Sequence, residues 1–325
     1  MRVLVTGGTG FVGRHLVCQL LDQGHEVTVL YRRESRRERL SEQIRKEVRF
    51  VKGDIMEPES LQGCTRGMDW VFHTAGEVAW ARSLRQRMTR GHVKGTEHMV
   101  AEASRSDVSR FVLTSSAAAI GFSMSTQPAI ESFPFNGYHL NIGYAIAKWE
   151  AEQRVLQATD DGRLPGIVVN PTVIVGESHP GFVRQVAKGQ LNIAPDGGVN
   201  FVDVIDAAEG HLLAAAKGRI RERYILGGAN LPLREFFQMV ADQAGTGQRI
   251  RSIPRWAALG AAAVGEVTAR WKGKEAPLAW DLARLSGRDI YYDSGKAERE
   301  LGYRWRPLKE TIRDSIRWMR ERGRL

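Results

Sequence analysis

Only two cysteines occur in the 325 residues, Cys18 and Cys64, and neither sits in CxxC or Cys/His ligand spacing. That excludes a disulfide framework and points away from a metal site. Long apolar runs are also missing: the segment 256–264 is apolar for nine residues before Glu266 interrupts it, well short of the roughly 20 needed to span a bilayer. It reads as an interfacial helix, a substrate-lining helix or a core helix of a small lobe. Ahead of Val3-Leu4-Val5 there is no charged n-region, apolar h-region and cleavage site, so the expectation is a cytoplasmic protein that is not exported. Acidic residues are outnumbered by basic ones, 37 to 47, for a formal net charge of +10. The basic residues are spread along the chain, with concentrations at 32–39 and 313–324, and no nucleic-acid-binding motif accompanies them. The excess therefore reads as a solvated basic surface that attracts a phosphorylated cofactor or an anionic membrane surface, not nucleic acid.

What is present is an ordinary globular composition, 42% hydrophobic and 26% charged, able to bury a sizeable core. Short β-branched runs at 2–6, 26–31, 48–52, 70–73, 110–114 and 166–170 alternate with segments of helical periodicity, as in 13–23, where Leu16, Leu20 and Leu21 share a face. This alternation predicts parallel strands joined by crossover helices. The expected fold is α/β, a doubly wound parallel sheet with a smaller C-terminal substrate lobe. Glycine and proline punctuate the chain after residue 170, at Gly176, Pro180, Pro195, Gly197 and Gly198. The division this suggests is a dinucleotide-binding domain over 1–175, to which 200–222 returns, and a substrate-binding lobe made of 176–199 and 223–325.

The opening Val5-Thr6-Gly7-Gly8-Thr9-Gly10-Phe11-Val12-Gly13 follows the first strand and precedes the first helix. Gly7 permits a tight turn, Gly10 lets the backbone approach a pyrophosphate, and Gly13 allows close packing of helix on strand. The second predicted strand ends in Tyr31-Arg32-Arg33, where a cofactor with a free ribose 2′-hydroxyl would call for a carboxylate; two arginines favour a 2′-phosphate, hence NADP(H), with NAD(H) as the alternative. Glu34 is a counter-signal. Asp54, after the third strand, is within reach of an adenine amino group or is simply a turn residue.

Tyr144 and Lys148 lie four residues apart in a predicted helix over 141–158, which places both side chains on one face. An adjacent ammonium favours the phenolate, so the lysine is expected to lower the tyrosine pKa. A hydroxyl to hold a substrate carbonyl oxygen beside the phenol would come from Thr114-Ser115-Ser116, at the end of the fifth strand on the side where the cofactor is expected.

Together these segments resemble the extended short-chain dehydrogenase/reductases, with their NAD(P)-binding Rossmann fold. The likeness rests on the glycine-rich opening, Gly53-Asp54, Phe72-His73-Thr74-Ala75, Val93-Lys94-Gly95-Thr96, Thr114-Ser115-Ser116, Tyr144-x-x-x-Lys148 and Asn170-Pro171-Thr172. Residues 200–204, 208–211 and 224–228 are similar to the dihydroflavonol-reductase-like branch, which also holds 3β-hydroxysteroid-dehydrogenase-like proteins and hopanoid-associated sugar epimerases. The resemblance implies that Ser116, Tyr144 and Lys148 form a catalytic triad. It also implies that Gly7, Thr9, Gly10, Phe11, Val12, Arg32, Asp54, Ile55, Ala75, Pro171 and Val173 line the cofactor, and Arg33, Thr114, Tyr144 and Lys148 are further candidates for that lining. One departure stands out: where the family commonly has Asn-Val-x-Gly-Thr, this chain has His92 in the first position. His92 is either a substitute hydrogen-bonding group or a structural histidine.

The function expected is hydride transfer between NADP(H) and a carbonyl or alcohol on a small hydrophobic molecule, with the segment 256–264, Trp271 and Trp280 offering apolar surface, in a monomer or homodimer. The alternatives are a nucleotide-sugar epimerase or dehydratase with bound NAD, its diphosphate met by Arg251 and Arg255, and a nucleotide-sensing protein without turnover.

Overall fold

The computed structural model describes residues 1–38, 40–78, 80, 84–124, 127–177, 181–272 and 279–325, with backbone alone for 266–272. Arg39 of the basic run, Pro180 and the Trp271 side chain lie outside the described residues.

The predicted α/β alternation is present. Strands β1 (Arg2–Thr6), β2 (Glu26–Tyr31), β3 (Arg49–Lys52), β4 (Trp70–His73), β5 (Arg110–Thr114) and β6 (Gly166–Pro171) alternate with α1 (Phe11–Asp22), the short α2 (Glu34–Arg37) and α3 (Glu42–Glu47), α4 (Arg85–Ala103) and α5 (Gly143–Asp160). Their apolar runs are continuous because helices cover both faces of the sheet. Val3, Val5 and Val29 point to the face where Leu16, Val17 and Leu20 of α1 pack. Leu4, Leu30, Phe111 and Val168 point to the other, against Met99 of α4 and Val155 of α5.

Beyond β6 come β7 (Val173–Val175), α6 (Gly181–Ala187), β8 (Ile193–Pro195), β9 (Gly197–Asp203), α7 (Val204–Lys217) and β10 (Arg223–Leu226). The main sheet is seven-stranded, in the order β10-β6-β5-β4-β1-β2-β3, with every pairing parallel. The sequence division groups 223–226 with the second lobe; its run Tyr224-Ile225-Leu226, fully buried, instead pairs with Val169, Asn170 and Pro171. The unit 200–217 divides: helix α7 packs on α1 and on β5 and β6, while β9 pairs with β7 in a separate sheet.

The remainder comprises β11 (Ala229–Pro232), α8 (Leu233–Ala244), β12 (Arg251–Ile253), α9 (Arg255–Lys272), α10 (Trp280–Leu285), β13 (Arg288–Ile290), α11 (Gly295–Leu301) and α12 (Leu308–Glu321). Strands β11 and β13 flank β9, and β12 pairs with β8. A second core joins α8 and α12 to β9 through Phe236, Val240, Ile312, Ile316 and Phe201, with the Phe201 and Phe236 rings stacked at 3.9 Å between centroids.

Candidate active site

Since the main sheet is parallel, β1 to β6 deliver their carboxyl ends to one edge, where ligands of such sheets bind. Gly7 stands there with φ +72°, and a Cβ at this position would lie 2.7 Å from the Ala75 backbone nitrogen. A side chain at Gly13 would collide with the Gly7 carbonyl. The turn thus depends on glycine at both positions. Gly10 caps α1 without a side-chain hydrogen bond, and no acidic residue occupies the first turn. The N–H groups of the first turn and the positive end of the helix dipole suit a pyrophosphate. Thr9, Phe11 and Val12 stand half-buried on this turn, and Ala75 donates its N–H to the Thr6 hydroxyl at 3.2 Å. Pro171, buried at the end of β6, and Val173, half-buried in β7, complete the edge.

Arg32 and Arg33 are both exposed at the end of β2. Arg32 Nη1 lies 3.4 Å from Asp54 Oδ2, while Asp54 Oδ1 accepts from the Met56 N–H at 3.0 Å. The turn role weighed for Asp54 is therefore present in the structure. Ile55 packs over Gly95, where a Cβ would meet its Cδ1 at 2.6 Å, and its carbonyl is 2.7 Å from His98 Nδ1.

The structure brings Ser116, Tyr144 and Lys148 together. Tyr144 is buried at the start of α5, with the Ser116 hydroxyl near enough to its phenol to act on the phenol's pKa. One turn later, Lys148 Nζ donates to the Thr114 carbonyl at 2.9 Å. The other hydroxyls of the triplet are directed elsewhere. His211 Nδ1 lies 2.6 Å from the Ala207 carbonyl, an acceptor only, so Nδ1 carries the proton and Nε2 accepts from the Thr114 hydroxyl at 2.8 Å. Ser115 faces Glu152. Ser116 remains as the hydroxyl beside the phenol.

Burial pushes the Tyr144 phenol up to about 12, with the Ser116 hydrogen bond acting the other way. This differs from the lowering anticipated from Lys148, because desolvation of the phenolate outweighs any other influence. Burial also draws Lys148 down to about 8, partly countered by Glu152.

His92 packs edge-on to the Tyr144 ring at 6.0 Å, and its Nε2 donates to the Glu77 carbonyl at 2.8 Å. It is buried and held well below its ordinary pKa, first by burial and then by Lys148. Gly76 makes room for it, since a Cβ there would approach His92 Nδ1 to 2.9 Å and Lys148 Nζ to 3.5 Å. The apolar wall of the site comes from Trp80, whose ring is 4.8 Å from that of Tyr144. Trp256, in the segment read from sequence as an interfacial, substrate-lining or core helix, is among the most exposed side chains, at 77%.

Sequence reasoning missed Glu152, although its position four residues after Lys148 could have marked it. It is fully buried, accepts from Asn170 Nδ2 at 2.5 Å and pairs with Arg223 Nη1 at 3.3 Å. Asn170 also donates to the Ser116 carbonyl at 3.0 Å, tying this buried pair to the candidate site. Removing one partner of such a pair typically costs about 3–5 kcal/mol. Arg223→Met is expected to lose stability on that scale in urea unfolding, and Glu152→Gln with Arg223→Met to recover part of it. A single variant within ~1 kcal/mol of wild type would show that the pair is not essential to the fold.

A parallel sheet with a glycine-rich turn at β1 and a Ser-Tyr-Lys constellation at its carboxyl edge defines a dinucleotide-dependent enzyme acting at a CH–OH or C=O centre. Residues 3–227 match the model of the NAD dependent epimerase/dehydratase family, and the chain belongs to that family. It is 32% identical to a putative dihydroflavonol 4-reductase of Synechocystis sp., across 98% of this chain and 94% of that protein. It is 31% identical to the 4-hydroxy-2-methyl-3-oxo-4-farnesyl-3,4-dihydroquinoline-1-oxide ketoreductase of Stigmatella aurantiaca, across 98% and 96%. Among solved structures, the dTDP-glucose 4,6-dehydratase DesIV of Streptomyces venezuelae, determined with NAD bound, superposes with a TM-score of 0.77 at 26% identity, covering 99% of this chain and 98% of that one.

Proposed function

We propose that the chain is an NADP-dependent carbonyl reductase, and in reverse an alcohol dehydrogenase, acting on hydrophobic small molecules. The observation that carries this reading is the convergence of Ser116, Tyr144 and Lys148 beside the apolar ring of Trp80. The glycine turn and the open N-terminus of α1 fit a dinucleotide, which when bound supplies the hydride. Tyr144 donates a proton to the carbonyl oxygen; burial keeps the phenol protonated at neutral pH, the state reduction requires. Ser116 orients that oxygen. Lys148, predominantly cationic at neutral pH, stabilises the negative charge that develops as the proton leaves the phenol.

Arg32 supports NADP, because its contact with Asp54 is solvent-exposed and exposed pairs are weak, about 0–1 kcal/mol. Exchange for a ribose 2′-phosphate, stronger through charge-assisted hydrogen bonds, is expected to favour NADPH over NADH by roughly 10- to 100-fold. Calorimetry with both nucleotides checks this. Equal affinities would shift weight to a second reading, favoured by the likeness to DesIV with its NAD, in which hydride returns to a nucleotide-sugar. Challenge with polycyclic and aromatic ketones, and separately with UDP- and dTDP-sugars, distinguishes the two.

A further inference from the structure

Helix α9 is unusual in its surroundings. Residues 256–265 contain no charge, yet only Ala258 and Ala262 in this stretch are buried. Trp256, Gly260, Ala263 and Val264, at i, i+4, i+7 and i+8, are all exposed, Trp256 at 77% and Val264 at 65%. A surface helix normally turns polar side chains to water, and a contiguous apolar face left exposed marks a contact surface.

The chain leading into this helix is cationic. Arg234 of α8, Arg249 and Arg251 line a cavity of about 500 Å³ with Ile250 and Ser252, and no carboxylate is among its lining residues. Arg251 opens the short strand that leads through Pro254 into α9. At the first turn of α9, Arg255 packs on Gly287, and after burial its charge, followed by that of Arg284, lowers the pKa of Arg288. Among the described residues none of Arg234, Arg249, Arg251 and Arg255 forms an ion pair. A second copy of the chain docking through the same face would set these arginines against one another. An anionic bilayer would satisfy both the cations and the apolar face.

We infer that the N-terminal half of α9, with Arg234, Arg249, Arg251 and Arg255, docks this protein on anionic membrane surfaces. The mode is interfacial: none of the described helices is long and apolar enough to cross a membrane. Trp256 enters the headgroup boundary, and the arginines meet lipid phosphates. This inference is independent of the reductase assignment.

Flotation with phosphatidylcholine vesicles, alone or containing phosphatidylglycerol, tests it. Binding is expected only to the mixed vesicles and is expected to weaken as salt rises. Each of Arg234→Gln, Arg249→Gln and Arg251→Gln should lower the partition coefficient roughly fivefold, and the triple variant about 100-fold. Trp256→Ser and Val264→Glu should each weaken binding severalfold. All five positions are exposed, and unchanged nucleotide affinity confirms that the variants are folded. Absence of binding, equal binding to neutral vesicles, or a vesicle-free dimer that Val264→Glu dissociates would each overturn the inference.

Discussion

Tyr144→Phe is expected to lower turnover by about 10²- to 10⁴-fold, the usual contribution of a positioned proton donor, while nucleotide affinity changes by less than about threefold. The substitution removes one oxygen from a ring held between Trp80 and His92. Those ring contacts survive it, so the fold and the cofactor edge are left standing. What is lost is the hydroxyl that stands beside Ser116. Lys148→Met is expected to reduce both quantities, because its Nζ ties α5 to the Thr114 carbonyl at the end of β5 and supplies charge to the site. Single-turnover hydride transfer, followed by nicotinamide absorbance with any ketone the protein accepts, measures the first effect; calorimetry measures the second. Turnover within tenfold of wild type in the Phe variant would remove Tyr144 from the mechanism.

Much of this site was readable because its signals are local. The glycine turn and the Tyr144–Lys148 pair are spacings within one turn or one helix, and the strand alternation of 2–170 determines which edge they share. What escaped the sequence depends on distance. His211 and Thr114 are hydrogen-bonded across 97 positions, and Asn170 reaches Glu152 across 18, through contacts that no periodicity announces. Strand β10 escapes because its apolar run follows the helix that by sequence already returns the chain to the first domain, leaving no cue that the sheet gains one more edge strand. The tyrosine pKa went the other way because helix spacing tells which groups are near, whereas burial, set by the whole tertiary structure, decided the shift. Substrate preference has the same character: the apolar run at 256–264 suggested a binding wall, but the ring beside Tyr144 belongs to Trp80.

Acidification from pH 7 to 5 is expected to destabilise the fold by several kcal/mol, through three histidines buried in the neutral form around the candidate site. His73 bridges the Thr6 hydroxyl at 2.8 Å and the Thr96 hydroxyl at 3.2 Å, and burial, then Lys148, brings its pKa down to about 3. His211 is brought down to about 4 by burial, and His92 is held well below the ordinary value. A histidine whose folded pKa is depressed refuses a proton that the unfolded chain accepts. Its stabilisation is therefore complete above the unfolded pKa near 6.5 and is lost as pH falls toward the folded value. At pH 5 His73 and His211 have each forgone about 2 kcal/mol, from 1.5 pH units at ~1.4 kcal/mol per unit, and His92 acts in the same direction. For His73 and His211 together this is about 4 kcal/mol, against total stabilities of roughly 5–15 kcal/mol. Glu131, Glu152 and Asp206 act in the opposite sense, since burial raises their pKa values and the folded state takes up their protons first. Urea unfolding between pH 7.5 and 5 measures the balance. The wild type should lose stability steeply below pH 6.5, and His73→Asn and His211→Gln, although weaker at pH 7.5, should each lose about 2 kcal/mol less across the interval. A wild-type profile flat to pH 5, with the His73→Asn and His211→Gln profiles running parallel to it, would mean that these rings gain protons in the folded state, and that the hydrogen bonds holding Thr6 and Thr114 do not require neutral histidine.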